Sequence, residues 1–174
     1  MENRNHKDSL FIDLFCKDKE GKQNFISLYN ALHNTNLDLA TTTVQEVNIE
    51  NVLYMALSND IAMLVDNRLV VLVEHQSTIN ENMPLRLLEY VSRIYEQLIP
   101  SEDRYEKKMI KIPYPEFFVF YNGTEDYPVE TELRLSDAFI FPDEKYNVKS
   151  SDLTIEIKVK IININSLSFI RSNF

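Results

Sequence analysis

The distribution of apolar residues predicts an α/β fold, a mixed central sheet flanked by helices. Three observations carry it. Ile61 to Val65 and Leu69 to Val73 are two short runs, rich in β-branched residues and separated by Asp66, Asn67 and Arg68, the pattern of strand, turn, strand. Both runs are apolar on both faces; a half-solvated sheet alternates, so these are expected to be central strands covered on each side. Around them, apolar residues at helical spacing mark the covering helices, and a last segment alternates with period two.

In chain order, Asp8 or Ser9 can cap a first helix with an apolar stripe of Leu10, Phe11, Leu14 and Phe15, and Gly21 is expected to break it. Asn24 to His33 follows as a second helix, with Phe25, Leu28, Tyr29 and Leu32 at helical spacing. Asn34 to Thr43, polar and rich in Asn and Thr, reads as a connection. Two glycines serve the whole chain against 17 asparagines, so Asn is expected to make many of the turns. Val44 to Met55 leads into the hairpin, with a strand read over Val52 to Leu57. After the hairpin, Pro84 suits the first turn of a helix reaching about Ile99, whose stripe is Leu85, Leu88, Val91, Tyr95 and Leu98. Pro113 and Pro115 bound a strand over Glu116 to Tyr121, ended by Asn122-Gly123. Thr124 to Pro142 reads as acidic loop. Leu153 to Ile164 reads as the final strand, Leu153, Ile155, Ile157, Val159 and Ile161 alternating with polar neighbours, so that one face is wet.

Asp60, Glu74 and Gln76 are the polar positions set against the hairpin's apolar runs. Along a strand Glu74 and Gln76 share a face and His75 points to the other, so His75 is read as a packing residue. With Asp66, Asn67 and Arg68 all in the loop, Val65 faces Leu69 and Asp60 faces Glu74; a two-residue loop would shift the register by one and separate the two acids. Three residues are expected, since Asp and Asn tolerate the left-handed conformation such loops need. Two adjacent carboxylates repel unless a cation lies between them, and hard oxygen ligands suit Mg²⁺ or Mn²⁺. Glu46 and Glu50 could each add a ligand, although exposed acids are the commoner explanation. A strand-entry role for Asp60 and a hydrogen-bonding role for Gln76 remain open on the residues alone.

An Asp followed on the adjacent strand by Glu-x-Lys is the signature of the PD-(D/E)XK nuclease superfamily. Asp60 with Glu74-His75-Gln76 resembles it, with Gln in the lysine's place. The longer run VEHQSTINENMPLRLLEYVSRIYEQL, followed by IPYPEFFVFYNG and LRLSDAF, resembles the recombination-promoting nuclease / putative transposase family of bacteria, from about Lys7 to about Ile162. The resemblance implies a restriction-endonuclease-like fold and a Mg²⁺- or Mn²⁺-dependent DNA endonuclease. It also implies one nuclease-like domain over residues 1–174, C-terminally short relative to family members. It carries over Asp60, Glu74 and Gln76 as catalytic residues, Asp60 and Glu74 holding the metal.

Composition bounds the rest. A chain of 174 residues, 44% hydrophobic and 11% aromatic, holds one domain with a substantial core. A single cysteine, Cys16, allows no internal disulfide and fits a reducing compartment. With no apolar leader and no uncharged run near ~18 residues, a cytoplasmic protein without membrane contact is expected. The net charge of −9 opposes general attraction to phosphates, leaving local basic groups: Arg104, Lys107, Lys108 and Lys111, or Arg86 and Arg93. Expected partners are DNA and, as an option, a second copy in a homodimer. The rival reading is a catalytically inactive DNA- or protein-binding module, or a remnant of a transposase-like protein, favoured by the acidic balance, the missing lysine and the early stop.

Overall fold

The computed structural model describes residues 14–16, 18–47, 61–75, 80–146, 148–149 and 151–165, except for the side chains at 74, 75 and 144. Its long helices are α1, Asp18–His33, and α2, Met83–Leu98. Its strands are β1, Val44–Glu46; β2, Ile61–Val65; β3, Arg68–His75; β4, Tyr114–Tyr121; β5, Glu130–Arg134; and β6, Lys158–Asn163. They form one sheet in the order β1-β2-β3-β4-β6-β5. β1, β2 and β3 are an antiparallel meander, α2 crosses over to a parallel β4, β6 is parallel to β4, and β5 is an antiparallel edge. Helix, meander, helix and parallel strand, in that order, are consistent with the expected restriction-endonuclease-like fold.

The continuous hydrophobicity of the hairpin has the predicted cause. Leu69, Val71 and Val73 pack with Leu87, Val91 and Ile94 of α2. Val70 and Leu72 pack on the other face with Phe25, Ile26 and Tyr29 of α1. Each strand residue therefore has a helix to bury against, and a polar residue at any of them would be desolvated without a partner.

Four expectations are corrected. First, the β2–β3 turn has two residues, not three: Val65 pairs with Arg68, and Ile61 with Leu72. Asp66 takes the positive φ of 52° that such short loops require. It is held there by Thr43, whose N–H donates to Asp66 Oδ1 at 3.0 Å while Asp66 N–H donates to Thr43 O at 3.0 Å. Arg68 is drawn into the strand because its guanidinium donates to Tyr29 Oη and lies 5.9 Å over that ring.

Second, Gly21 does not break a helix; α1 begins at Asp18, which has φ 61° and accepts the Glu20 N–H at 2.8 Å. Gly21 lies inside the helix because a Cβ there would meet backbone atoms of Phe15 and Cys16 at 3.1 Å. Third, the acidic segment contains β5. Its alternating, mostly charged sequence suits an edge strand, where charge blunts pairing with other chains. Fourth, β6 begins at Lys158 rather than Leu153, because the preceding residues make a clamp instead of a ladder. The Glu156 carboxylate accepts Ser136 Oγ–H at 2.8 Å and the N–H groups of Ser136 and Ile157, both at 3.1 Å.

Pro84 lies in the first turn of α2 as predicted, but the buried face is Met83, Pro84, Leu87, Tyr90, Val91 and Ile94, and Leu85 is exposed. Pro115 sits inside β4. Tyr114 N–H donates toward β3, to Asn67 O at 3.0 Å, so the next residue faces the other side. There β6 begins pairing only at Phe118, and no ladder bond is lost. The strand read over Val52 to Leu57 and most of the first predicted helix lie outside the described residues.

Candidate functional site

Parallel strands β3, β4 and β6 end together. Glu74 stands in register with Phe120 and Phe120 with Ile162, while His75 stands with Tyr121 and Tyr121 with Asn163. Phe120 and Ile162 belong to the α1-side core and Tyr121 to the α2-side core, so the register assigns positions 74 and 75 to opposite faces, as alternation predicts. Carboxyl ends of parallel strands are where open α/β sheets present their ligand sites.

The surroundings of this edge are polar and ordered by hydrogen bonds. Buried Asn163 donates from Nδ2 to Tyr127 O at 2.7 Å and accepts the Asn165 N–H at 3.0 Å. Tyr121 Oη accepts the Glu125 N–H at 3.2 Å, and its ring lies 5.1 Å from that of Tyr127. Burial pushes the Tyr127 phenol above its ordinary pKa, and the Glu81 carboxylate and Tyr121 push the same way.

Asp60 and Gln76 lie outside the described residues, and Glu74 is placed by its backbone alone, next to the last residue of β3. It follows five residues, Leu69 to Val73, that are at most 3% exposed. The two-residue turn removes the register argument that set Asp60 opposite Glu74. Glu46 ends β1, exposed, and its charge adds to the burial that lifts the Cys16 thiol to about 12. Glu50 lies outside the described residues. Among the described residues no three His, Cys, Asp or Glu are arranged to hold a metal ion.

At the opposite end of the sheet, the structure brings together residues that sequence reasoning did not connect. His33, closing α1, has Nε2 2.8 Å from Glu116 Oε2 on β4 and Nδ1 3.1 Å from Tyr29 O. Both ring nitrogens face oxygens; Glu116 Oε2 is buried and meets no hydrogen-bond geometry, so its contact with His33 is a close polar approach. The ring stacks on Tyr29, centroids 4.1 Å apart, and meets Phe118 edge-on at 5.8 Å.

A groove of about 580 Å³ opens beside this pair, floored by Glu116, Glu130, Glu132, Lys158 and Lys160. Lys160 pairs with Glu130 at 2.8 Å, and Arg134 with Glu132 at 2.7 Å. With each of its acids beside a basic side chain, the cluster joins α1 to the sheet and offers no activated nucleophile. The available signal was Glu116 itself, one acid at the head of the apolar run FFVFY.

No curated protein and no solved structure matches the chain significantly. The family model described as "Putative transposase, YhgA-like" matches residues 5–161, a span that takes in the whole described sheet except the end of β6. The chain therefore belongs to the YhgA-like putative transposase family.

Proposed function

We infer that this protein is a metal-dependent DNA endonuclease that hydrolyses phosphodiester bonds in the service of recombination or mobile elements. Family membership associates it with mobile elements, and hence with DNA. The observation that carries the nuclease reading is the position of Glu74. A carboxylate directly after five buried residues of a central strand, at the carboxyl edge of a restriction-endonuclease-like sheet, is costly unless it has a charged partner.

On the family resemblance, and no longer on the hairpin register, which the two-residue turn removes, Asp60 and Glu74 would hold Mg²⁺ or Mn²⁺. Their oxygens are the hard donors these ions take, and an ion that keeps several waters and binds substrate phosphate needs only one or two carboxylates from the protein. When bound, such an ion polarises the phosphate and acidifies the attacking water. Gln76 can orient a water by hydrogen bonding but brings no positive charge, so turnover slower than in a lysine-bearing site is expected. Supercoiled plasmid incubated with Mg²⁺, Mn²⁺ or EDTA tests this: nicking should need metal and vanish in Asp60→Asn and Glu74→Gln.

The second reading, a family member that binds DNA or protein without cutting, is favoured by the two-residue turn, which leaves the acid pair without its register support. Metal-independent binding with no nicking by the folded parent would select it.

A further inference from the structure

The connection from α2 to β4 is long for a compact domain and has the build of a contact element. Its ends are pinned. Arg104 donates from Nη2 to the carbonyls of Glu96 at 3.0 Å and Ile99 at 3.1 Å, capping the end of α2. At the other end Tyr95, whose phenol burial pushes above its ordinary pKa, donates to Pro113 O at 2.6 Å. Between the pins every residue from Arg104 to Ile112 is exposed. A single 3-10 turn, Asp103–Tyr105, is its one piece of regular structure among the described residues, and connections this long tend to serve function.

The exposed stretch mixes cations with apolar and aromatic groups. Lys107, Lys108 and Lys111 make no ion pair among the described residues, in contrast to Arg93, Arg134, Lys145 and Lys160. Glu106 is the one acid from Arg104 to Ile112. Tyr105 is 89% exposed, Met109 77%, Ile112 50% and Tyr114 67%. Leaving such side chains in water beside unpaired lysines has no folding benefit, but it suits a ligand that is both polyanionic and able to stack.

We propose that Tyr105 to Tyr114 is a nucleic-acid contact, with Lys107, Lys108 and Lys111 on backbone phosphates and the exposed rings against sugar or base. It rests on the DNA reading above but not on the metal chemistry. Tyr114 is in register with Arg68, at the other end of β3 from Glu74. Six residues at ~3.3 Å each put the two about 20 Å apart. A duplex lying along the strands would meet the loop roughly six base pairs from the carboxyl edge. The loop is thus a second point of attachment that sets how DNA lies on the sheet.

Fluorescence anisotropy with a labelled duplex, in EDTA and over a range of salt, tests this without involving cleavage. Each lysine on a phosphate contributes about 0.9 to the salt slope of log K. Lys107→Ala/Lys108→Ala/Lys111→Ala should therefore flatten the slope by about 2 to 3 and weaken binding roughly 10- to 100-fold. Lys107→Arg/Lys108→Arg/Lys111→Arg should bind like the parent, and so should Lys145→Ala/Lys149→Ala. An unchanged slope, an equal loss in the Lys145/Lys149 control, no duplex binding by the parent, or binding only to anionic vesicles would overturn the proposal. Plasmid nicking on the same samples separates the two claims: metal-dependent nicking with an unchanged slope leaves the nuclease standing without the loop, and a flattened slope with no nicking does the reverse.

Discussion

Replacing His33 tests how α1 is held to the sheet. His33→Ala removes the ring whose Nε2 stands 2.8 Å from Glu116 Oε2, a buried oxygen that no hydrogen bond reaches among the described residues. Breaking a fully buried ion pair costs about 3 to 5 kcal/mol. The His33 and Glu116 side chains are 22% and 13% exposed, so the lower cost of an unsatisfied buried acceptor, about 1 to 3 kcal/mol, is the better guide. Lost stacking on Tyr29 and Phe118 adds about 0.5 to 1.5 kcal/mol. A total near ~3 kcal/mol follows for the single variant. In a Glu116→Leu background no acceptor is orphaned, so the same change should cost only the stacking part, ~1 kcal/mol. Urea unfolding of the four proteins, followed by circular dichroism at one temperature, measures the coupling, expected at about 2 kcal/mol. Additivity within about 0.5 kcal/mol would refute the view that the contact joins helix and sheet.

Further outcomes follow from other sites. Gly21→Ala should gain about 1 kcal/mol of helix propensity but force the backbone at Phe15 and Cys16 apart. A net loss of about 1 to 2 kcal/mol in chemical denaturation is expected, and any gain would contradict the packing. Cys16, its thiol pushed up to about 12 by burial and by Glu46, should react with iodoacetamide at pH 8 roughly tenfold or more slowly in native than in unfolded protein. For Glu156, burial alone would raise the pKa, but Ser136, the Ile157 N–H and Arg134 outweigh it and hold the carboxyl below its usual range. Its stabilising effect is therefore present above the ordinary carboxylate pKa and lost as pH falls through the depressed one. Ser136→Ala should lower the melting temperature at pH 7, and the gap to the parent should close toward pH 3.

Much of the fold could be read from the chain. The two-sided burial of Leu69 to Val73 followed from the absence of alternation, and α2 from Pro84 and apolar spacing. What failed did so where a distant residue decides a local choice. Asp66, Asn67 and Arg68 are equally fit for a two- or three-residue loop, and the choice was made by Tyr29 and Thr43, which bind Arg68 and Asp66 from other elements. Gly21 reads as a breaker until the close approach of Phe15 and Cys16 gives it a packing role. Leu153 and Ile155 alternate like a strand, yet Glu156 spends its carboxylate on the Ser136 turn and the ladder starts later. The polar residues Glu74 and Gln76 were visible by contrast with their run, whereas the His33–Glu116 contact joins positions too far apart in sequence for any periodicity to reveal.

The central claim is that Glu74 serves a metal site, and thermal melts of the parent and Glu74→Gln with and without Mn²⁺ test it most directly. A carboxylate at the end of a buried run is desolvated without a charged partner when the metal is absent. Glu74→Gln should therefore melt at or above the parent in EDTA. Mn²⁺ at about 100 times its Kd should stabilise the parent by about 2.7 kcal/mol and leave the variant unmoved. If Glu74→Gln instead loses about 3 to 5 kcal/mol in EDTA, as breaking a buried structural pair would, or if Mn²⁺ shifts both proteins equally, Glu74 is not a metal ligand and the endonuclease reading gives way to the binding module.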